Sequence, residues 1–185
     1  DFPAKGAPPV IGLGHFTTPA FLWIYIYYFL FTLLFYSFWA SYSPHKWQMW
    51  SILGSALILF FTYYQVQVAV AVNNWYRPFY DAIQNALSGS STTTASDLYG
   101  YILSFLILAM TYVLISIVTS FFVSHYVFRW RTAMNDFYTA KWALVRHIEG
   151  ASQRIQEDTM RFASIMKTLG VSIVDAVMTL IAFLP

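Results

Sequence analysis

Along this chain, long charge-free stretches alternate with short polar punctuation. No Asp, Glu, Lys or Arg occurs between Lys5 and Lys46, from Trp47 to Tyr76, or from Leu98 to Phe128. Each stretch exceeds the roughly 20 apolar residues that carry a helix across a hydrocarbon core about 30 Å thick. A helix satisfies its own backbone hydrogen bonds in lipid, so stretches of this length predict membrane-spanning helices. The pattern places them at 16–42, 51–72 and 99–126, with a fourth over 169–185 that is too short to be complete. Trp39, Tyr42, Trp47 and Trp50 cluster at one predicted boundary, and Trp75, Tyr76 and Tyr99 at the other, as in an interfacial belt. The predicted organisation is an N-terminal segment, 1–15, followed by a transmembrane domain, 16–185. The opening Asp1 and the short fourth span predict a piece truncated at both ends.

Composition sharpens this picture. Only 10% of residues are charged, against about a quarter in soluble domains, which excludes an ordinary water-soluble fold. The charges also give an orientation. Between Arg129 and Lys167 lie seven Lys and Arg, whereas 73–97 holds only Arg77, and the turn after the first span holds Lys46. The positive-inside rule then puts that turn and 129–167 in the cytoplasm, and 1–15 and 73–97 outside. The Ser/Thr-rich tip Ser88–Ser96 predicts an external loop. The net charge of +2 gathers at the cytoplasmic boundary, which accounts for it without nucleic acid. With no cysteine, neither a disulfide framework nor a thiolate metal site is available.

The connection 129–167 is too long for a simple turn between packed helices. Met134, Phe137, Leu144, Val145 and Ile148 recur at near-helical spacing, so the third span is predicted to continue into the cytoplasm until Gly150 breaks it. A polar segment, 152–158, follows before Met160, Phe162, Ile165 and Leu169 lead back to the membrane. Two long helices joined by a short transverse element describe an ABC-exporter-type transmembrane domain; an amphipathic hairpin packed on a neighbouring helix fits the periodicity equally well.

Four strings carry a resemblance: Ser43–Leu57, Val72–Asp81, Phe122–Asn135 and His147–Ala163. In this order they are similar to the SbmA/BacA peptide transporters. The resemblance implies a homodimer in the bacterial inner membrane, with an ABC-exporter-like membrane domain but no ATPase. Such a protein imports antimicrobial peptides and peptide-like antibiotics on the proton gradient. Lys167 stands where some relatives carry Glu, and Asp175 where some carry Asn, so their acidic relay does not transfer residue by residue. The alternative is the membrane domain of an ATP-driven ABC transporter, with 151–158 as its coupling helix; a non-transporting membrane scaffold is a third reading.

Proton coupling needs a carboxylate that exchanges protons as access alternates. Asp175, the only charged residue after Lys167, is the first candidate, because charge inside a span is costly and rarely idle. Glu157 and Asp158 come next, although Arg154–Asp158 and Glu157–Arg161 are also spaced for i,i+4 ion pairs in a coupling-type segment. Gln65, Gln67, Asn73 and Asn74 make one end of the second span polar enough to contact a peptide backbone, or to bond between helices. Arg129, Trp130 and Arg131 are placed to anchor in lipid headgroups, and His125 is placed to titrate or to pack. No lysine follows a glycine, which excludes a Walker A loop, and no His-Glu-x-x-His occurs. The expectation is therefore a transporter rather than an enzyme, with peptides, protons, lipids and a second copy as partners and no cofactor or metal.

Overall fold

The computed structural model describes residues 10–89 and 93–184. Residues 1–9 of the predicted N-terminal segment, 90–92 of the predicted loop tip, and Pro185 lie outside the described residues. All regular structure among the described residues is helical. A 3-10 turn, Gly12–Thr17, precedes α1 (Pro19–Tyr42); a π turn, Trp50–Gly54, runs into α2 (Ser55–Leu87); α3 (Ala95–Ala140), the single-turn α4 (Trp142–Val145) and α5 (Ala151–Phe183) follow. Four helices are long and apolar enough to span a membrane: Pro19–Tyr42, Trp50–Leu87, Ala95–Ala140 and Ala151–Phe183.

Two of them reach well beyond a bilayer core. The 46 residues of α3 extend about 69 Å at 1.5 Å per residue, more than twice the hydrocarbon thickness. The expected external loop 73–97 is largely helix: α2 continues to Leu87 through Pro78, and α3 begins at Ala95. Packing explains how the helix passes a proline. Trp75 is buried against α3, its Nε1–H donates to the Tyr101 carbonyl at 2.8 Å, and its ring lies 4.4 Å from Phe79 and 4.9 Å from Phe105. At the start of α3, Thr94 Oγ1 accepts from the Asp97 N–H while Asp97 Oδ2 accepts from the Thr94 N–H, a reciprocal cap that fixes the helix entry.

The far end of α3 departs from expectation in the other direction. The helix stops at Ala140 rather than at Gly150, after which α4 makes one turn. Phe137, Leu144 and Ile148 are more than half exposed, so the apolar face meant to prolong the helix finds nothing to pack on, and a helix without tertiary support does not propagate far. Gly150, at φ 73°, then turns the chain directly into α5. The expected transverse element at 152–158 does not exist as a separate piece; these residues are the opening turns of α5.

α2, α3 and α5 form a three-helix bundle, with α1 on its periphery. Tyr28 Oη donates to the Ala56 carbonyl at 2.6 Å and Tyr25 Oη to the Phe16 carbonyl at 3.3 Å, holding α1 in place. Phe16, Phe21, Val68, Ala71 and Leu108 make the main buried cluster, and Phe16 stacks on Tyr64 at 4.4 Å. At the opposite end, Lys46 Nζ lies 2.7 Å from Asp136 Oδ2, so the α1–α2 turn and the extension of α3 occupy the same end of the bundle. α3 and α5 splay apart there around an open cleft of about 540 Å³.

Candidate functional site

Three faces run along α5. The first packs inward: Ala151 and Ala163 are buried, and Met166, Gly170, Val171 and Val174 wall an apolar cavity of about 210 Å³ shared with α2 and α3. The second is apolar and outward, with Leu169, Ile173 and Leu180 more than half exposed. The third is polar. Gln153, Glu157, Arg161, Ser164, Thr168, Ser172, Asp175 and Thr179 recur every three or four residues, so they fall in one stripe on a 3.6-residue helix. Seven of the eight are exposed and Glu157 is half-buried. From Gln153 to Thr179 the stripe extends about 39 Å along the axis.

Its two halves differ. In the first, Gln153 Nε2 donates to Glu157 Oε2 at 3.3 Å, and Arg161 Nη2 lies 2.6 Å from Glu157 Oε1. These groups satisfy one another in a surface network. In the second, Thr168 Oγ1 donates to its own helix at the Ser164 carbonyl, 3.3 Å away. Ser172, Asp175 and Thr179 have no side-chain hydrogen bond or ion pair among the described residues. Asp175 is thus an exposed carboxylate within the apolar length of α5, without a cationic partner among the described residues.

The other predicted residues do not converge on this stripe. Asp158 points a third of a turn away from Glu157, into a crevice with Met134, Tyr138 and Arg154, and the expected Arg154–Asp158 ion pair does not form. Lys167 leaves the stripe as well: its Nζ donates to Ser124 Oγ at 3.0 Å and its stem lines the apolar cavity, tying α5 to α3. Gln65 and Asn74 are half-buried and Asn73 is exposed. Arg129, Trp130 and Arg131 diverge rather than forming one anchor: Arg129 packs on Trp50, Trp130 meets Phe162 at 5.4 Å, and Arg131 lines the α3–α5 cleft.

Gln67 has a partner that local pattern did not suggest. His15 Nε2 is 3.5 Å from Gln67 Oε1, with the imidazole in edge contact with Phe16 and Phe21. Burial holds the His15 imidazole below the usual histidine range, and the Gln67 hydrogen bond pulls the other way. The one available signal was a lone histidine within an otherwise uncharged run ahead of the first span.

On α5 the small residues Ala151 and Ala163 are buried, whereas the long polar stripe faces outward. In hydrocarbon, uncovered hydroxyls and a carboxylate are costly, so such a face belongs against water or against other protein. Residues 44–185, well over half of the chain, match the model described as the SbmA/BacA-like family.

Proposed function

The chain belongs to the SbmA/BacA-like family, and from that premise we propose that it forms part of a peptide transporter of the bacterial inner membrane, importing antimicrobial peptides and peptide-like antibiotics on the proton gradient as a homodimer. The observation that carries this reading is the stripe on α5. Its second half, Ser164 to Thr179, spaces hydroxyl groups along about 22 Å of helix and offers donors and acceptors to a peptide backbone without requiring a particular sequence. A second copy, or further helices, closing around two such faces encloses a wide aqueous path. Asp175, the charged member of the stripe inside the apolar part of α5, is then the group that takes up a proton on one side and releases it on the other. The bundle and its long α3–α5 excursion act in this reading as an ABC-exporter-type unit, with that excursion in the cytoplasm, moved by protonation instead of by an ATPase.

Uptake of a labelled proline-rich peptide into proteoliposomes of the full-length protein tests the proposal. An inward acid gradient without ATP is expected to drive accumulation. Asp175→Asn is expected to reduce the gradient-driven component by about a hundredfold, the lower end for loss of a group that handles a proton, while peptide binding is retained. Uptake that requires ATP and ignores the gradient sinks the proton mechanism.

A further inference from the structure

The chain enters α2 through a π turn, Trp50–Gly54. Such wide turns add a residue to the hydrogen-bonded ring, and they recur at functional positions because they re-aim a side chain. Here Trp50 faces α3, where its indole lies 4.9 Å from the His125 ring and carries the Arg129 guanidinium 5.0 Å from its centroid. Cation–π contact orients the guanidinium but does not neutralise it. No carboxylate lies within ion-pair distance of Arg129 among the described residues. Its Nε is sealed from solvent without an acceptor. The acidic side chain nearest along α3, Asp136, is two turns further on and already held by Lys46 at 2.7 Å.

The surroundings give the missing partner a shape. On α3, Phe121, His125, Phe128 and Arg129 share one side of the helix, with Phe121 stacked on His125 at 5.9 Å. Phe121 and Phe128 are 62% and 61% exposed, so the helix face beside the cation is open and apolar. Phe121 lies about 12 Å along the axis from Arg129. A cation at one end and exposed aromatic rings at the other match an amphiphile with an anionic head and a hydrocarbon tail. Arginine is suited to the head, because its fork of donors pairs with two phosphate oxygens at once. Among the described residues no carboxylate lies within ion-pair distance of Arg129 to pair with the ammonium of a zwitterionic headgroup, so the charge of the site favours an anionic lipid.

We propose that Trp50, His125 and Arg129 form a binding site for the phosphate of an anionic phospholipid, whose acyl chain runs along Phe121. The site fastens the start of α2 to α3 through lipid, at the end of the bundle that also carries the Lys46–Asp136 contact. This inference does not depend on what the protein transports.

The test uses the full-length protein in nanodiscs of equal parts phosphatidylglycerol and phosphatidylcholine, followed by native mass spectrometry of the lipids it retains. The wild-type protein is expected to retain phosphatidylglycerol in preference to phosphatidylcholine. Arg129→Gln is expected to lower that retention about tenfold, and Arg129→Lys, which keeps the charge without the fork, to fall between. Equal retention of the two lipids by the wild-type protein overturns the proposal without any variant. So does unchanged phosphatidylglycerol retention in a folded Arg129→Gln protein. Inorganic phosphate separates the two possible sources of the anion: displacement of the lipid by millimolar phosphate means a free-anion site and overturns the lipid assignment, whereas retention in its presence supports it.

Discussion

Asp175 and His15 illustrate how differently single residues disclose themselves. Asp175 was conspicuous because nothing else after Lys167 is charged, and one isolated carboxylate in an apolar helix is a signal that needs no tertiary structure. His15 gave no such signal, since its contact with Gln67 joins positions 52 apart and exists only once the N-terminal turn packs on α2. That contact makes a pH-dependent prediction. Burial lowers the imidazole pKa from 6.5, so the folded state prefers the neutral ring. Docking of Gly12–Thr17 is therefore fully stable above about pH 6.5, the ordinary histidine value, and weakens as pH falls through it toward the lowered folded value. Hydrogen exchange over residues 12–21, corrected for intrinsic rate, is expected to accelerate between pH 7.5 and 5.5, values chosen to bracket that titration. His15→Phe, which keeps the aromatic packing, is expected to remove the acceleration. If the variant responds to pH as the wild-type protein does, His15 is not the switch.

At the level of elements, the four spans were legible, but how far α2, α3 and α5 run beyond them was not. Hydropathy reports where a helix is apolar, and α2 and α3 both outrun their apolar segments. The Asn73-Asn74 pair, Arg77 and Pro78 all favour a loop locally, yet α2 runs through them to Leu87. The competing terms have comparable size. A proline inside a helix costs roughly 3 kcal/mol, and a buried tryptophan truncated to alanine costs about 3–5 kcal/mol. Trp75 is thus large enough to decide the matter, and its partners Tyr101 and Phe105 lie on another helix, beyond the reach of local pattern. Trp75→Ala is expected to fray α2 beyond Asn74 while the segment below it stays intact. Exchange protection over 74–87 should collapse in the variant; protection that persists would mean Trp75 is not what holds the helix past Pro78. The same logic run backwards explains Ala140, where periodicity promised a longer helix and no neighbour arrived to pack on it. The transverse element failed for a related reason: a polar stretch at 152–158 looked like a separate piece, but it is the start of α5, and its Gln153 and Glu157 continue in register with the stripe.

On the scale of the whole molecule, the stripe is the feature that individual residues concealed. Asp175, Glu157 and Arg161 stood out separately as charges; Ser164, Thr168, Ser172 and Thr179 drew no notice, because a hydroxyl every three or four residues barely lowers the hydropathy of a span. Only α5 as one continuous helix from Ala151 to Phe183 places them in a line, and only its packing on α2 and α3 shows that the line faces outward. The outer surface of α1 is unlike it. Along α1, Trp23 and Tyr27, Phe31 and Phe35, and Phe38 and Tyr42 stack in successive i,i+4 pairs and are exposed, an apolar face suited to lipid. The stripe and the apolar faces thus suit different surroundings, and labelling distinguishes them. The chain contains no cysteine, so single cysteines at Ser164, Thr168, Ser172 and Thr179 report on the stripe, and cysteines at Leu169, Ile173 and Leu180 report on the apolar face of the same helix. In the full-length protein in membranes, a charged maleimide that does not enter lipid is expected to label the first set and spare the second, because thiols react as thiolates only where water reaches them. Labelling at both ends of the stripe, at Ser164 and at Thr179, would mean a continuous aqueous face. Protection of all four stripe positions would instead mean that another helix covers them, and α5 would then be a packing element, leaving the translocation path to be sought elsewhere in the assembly.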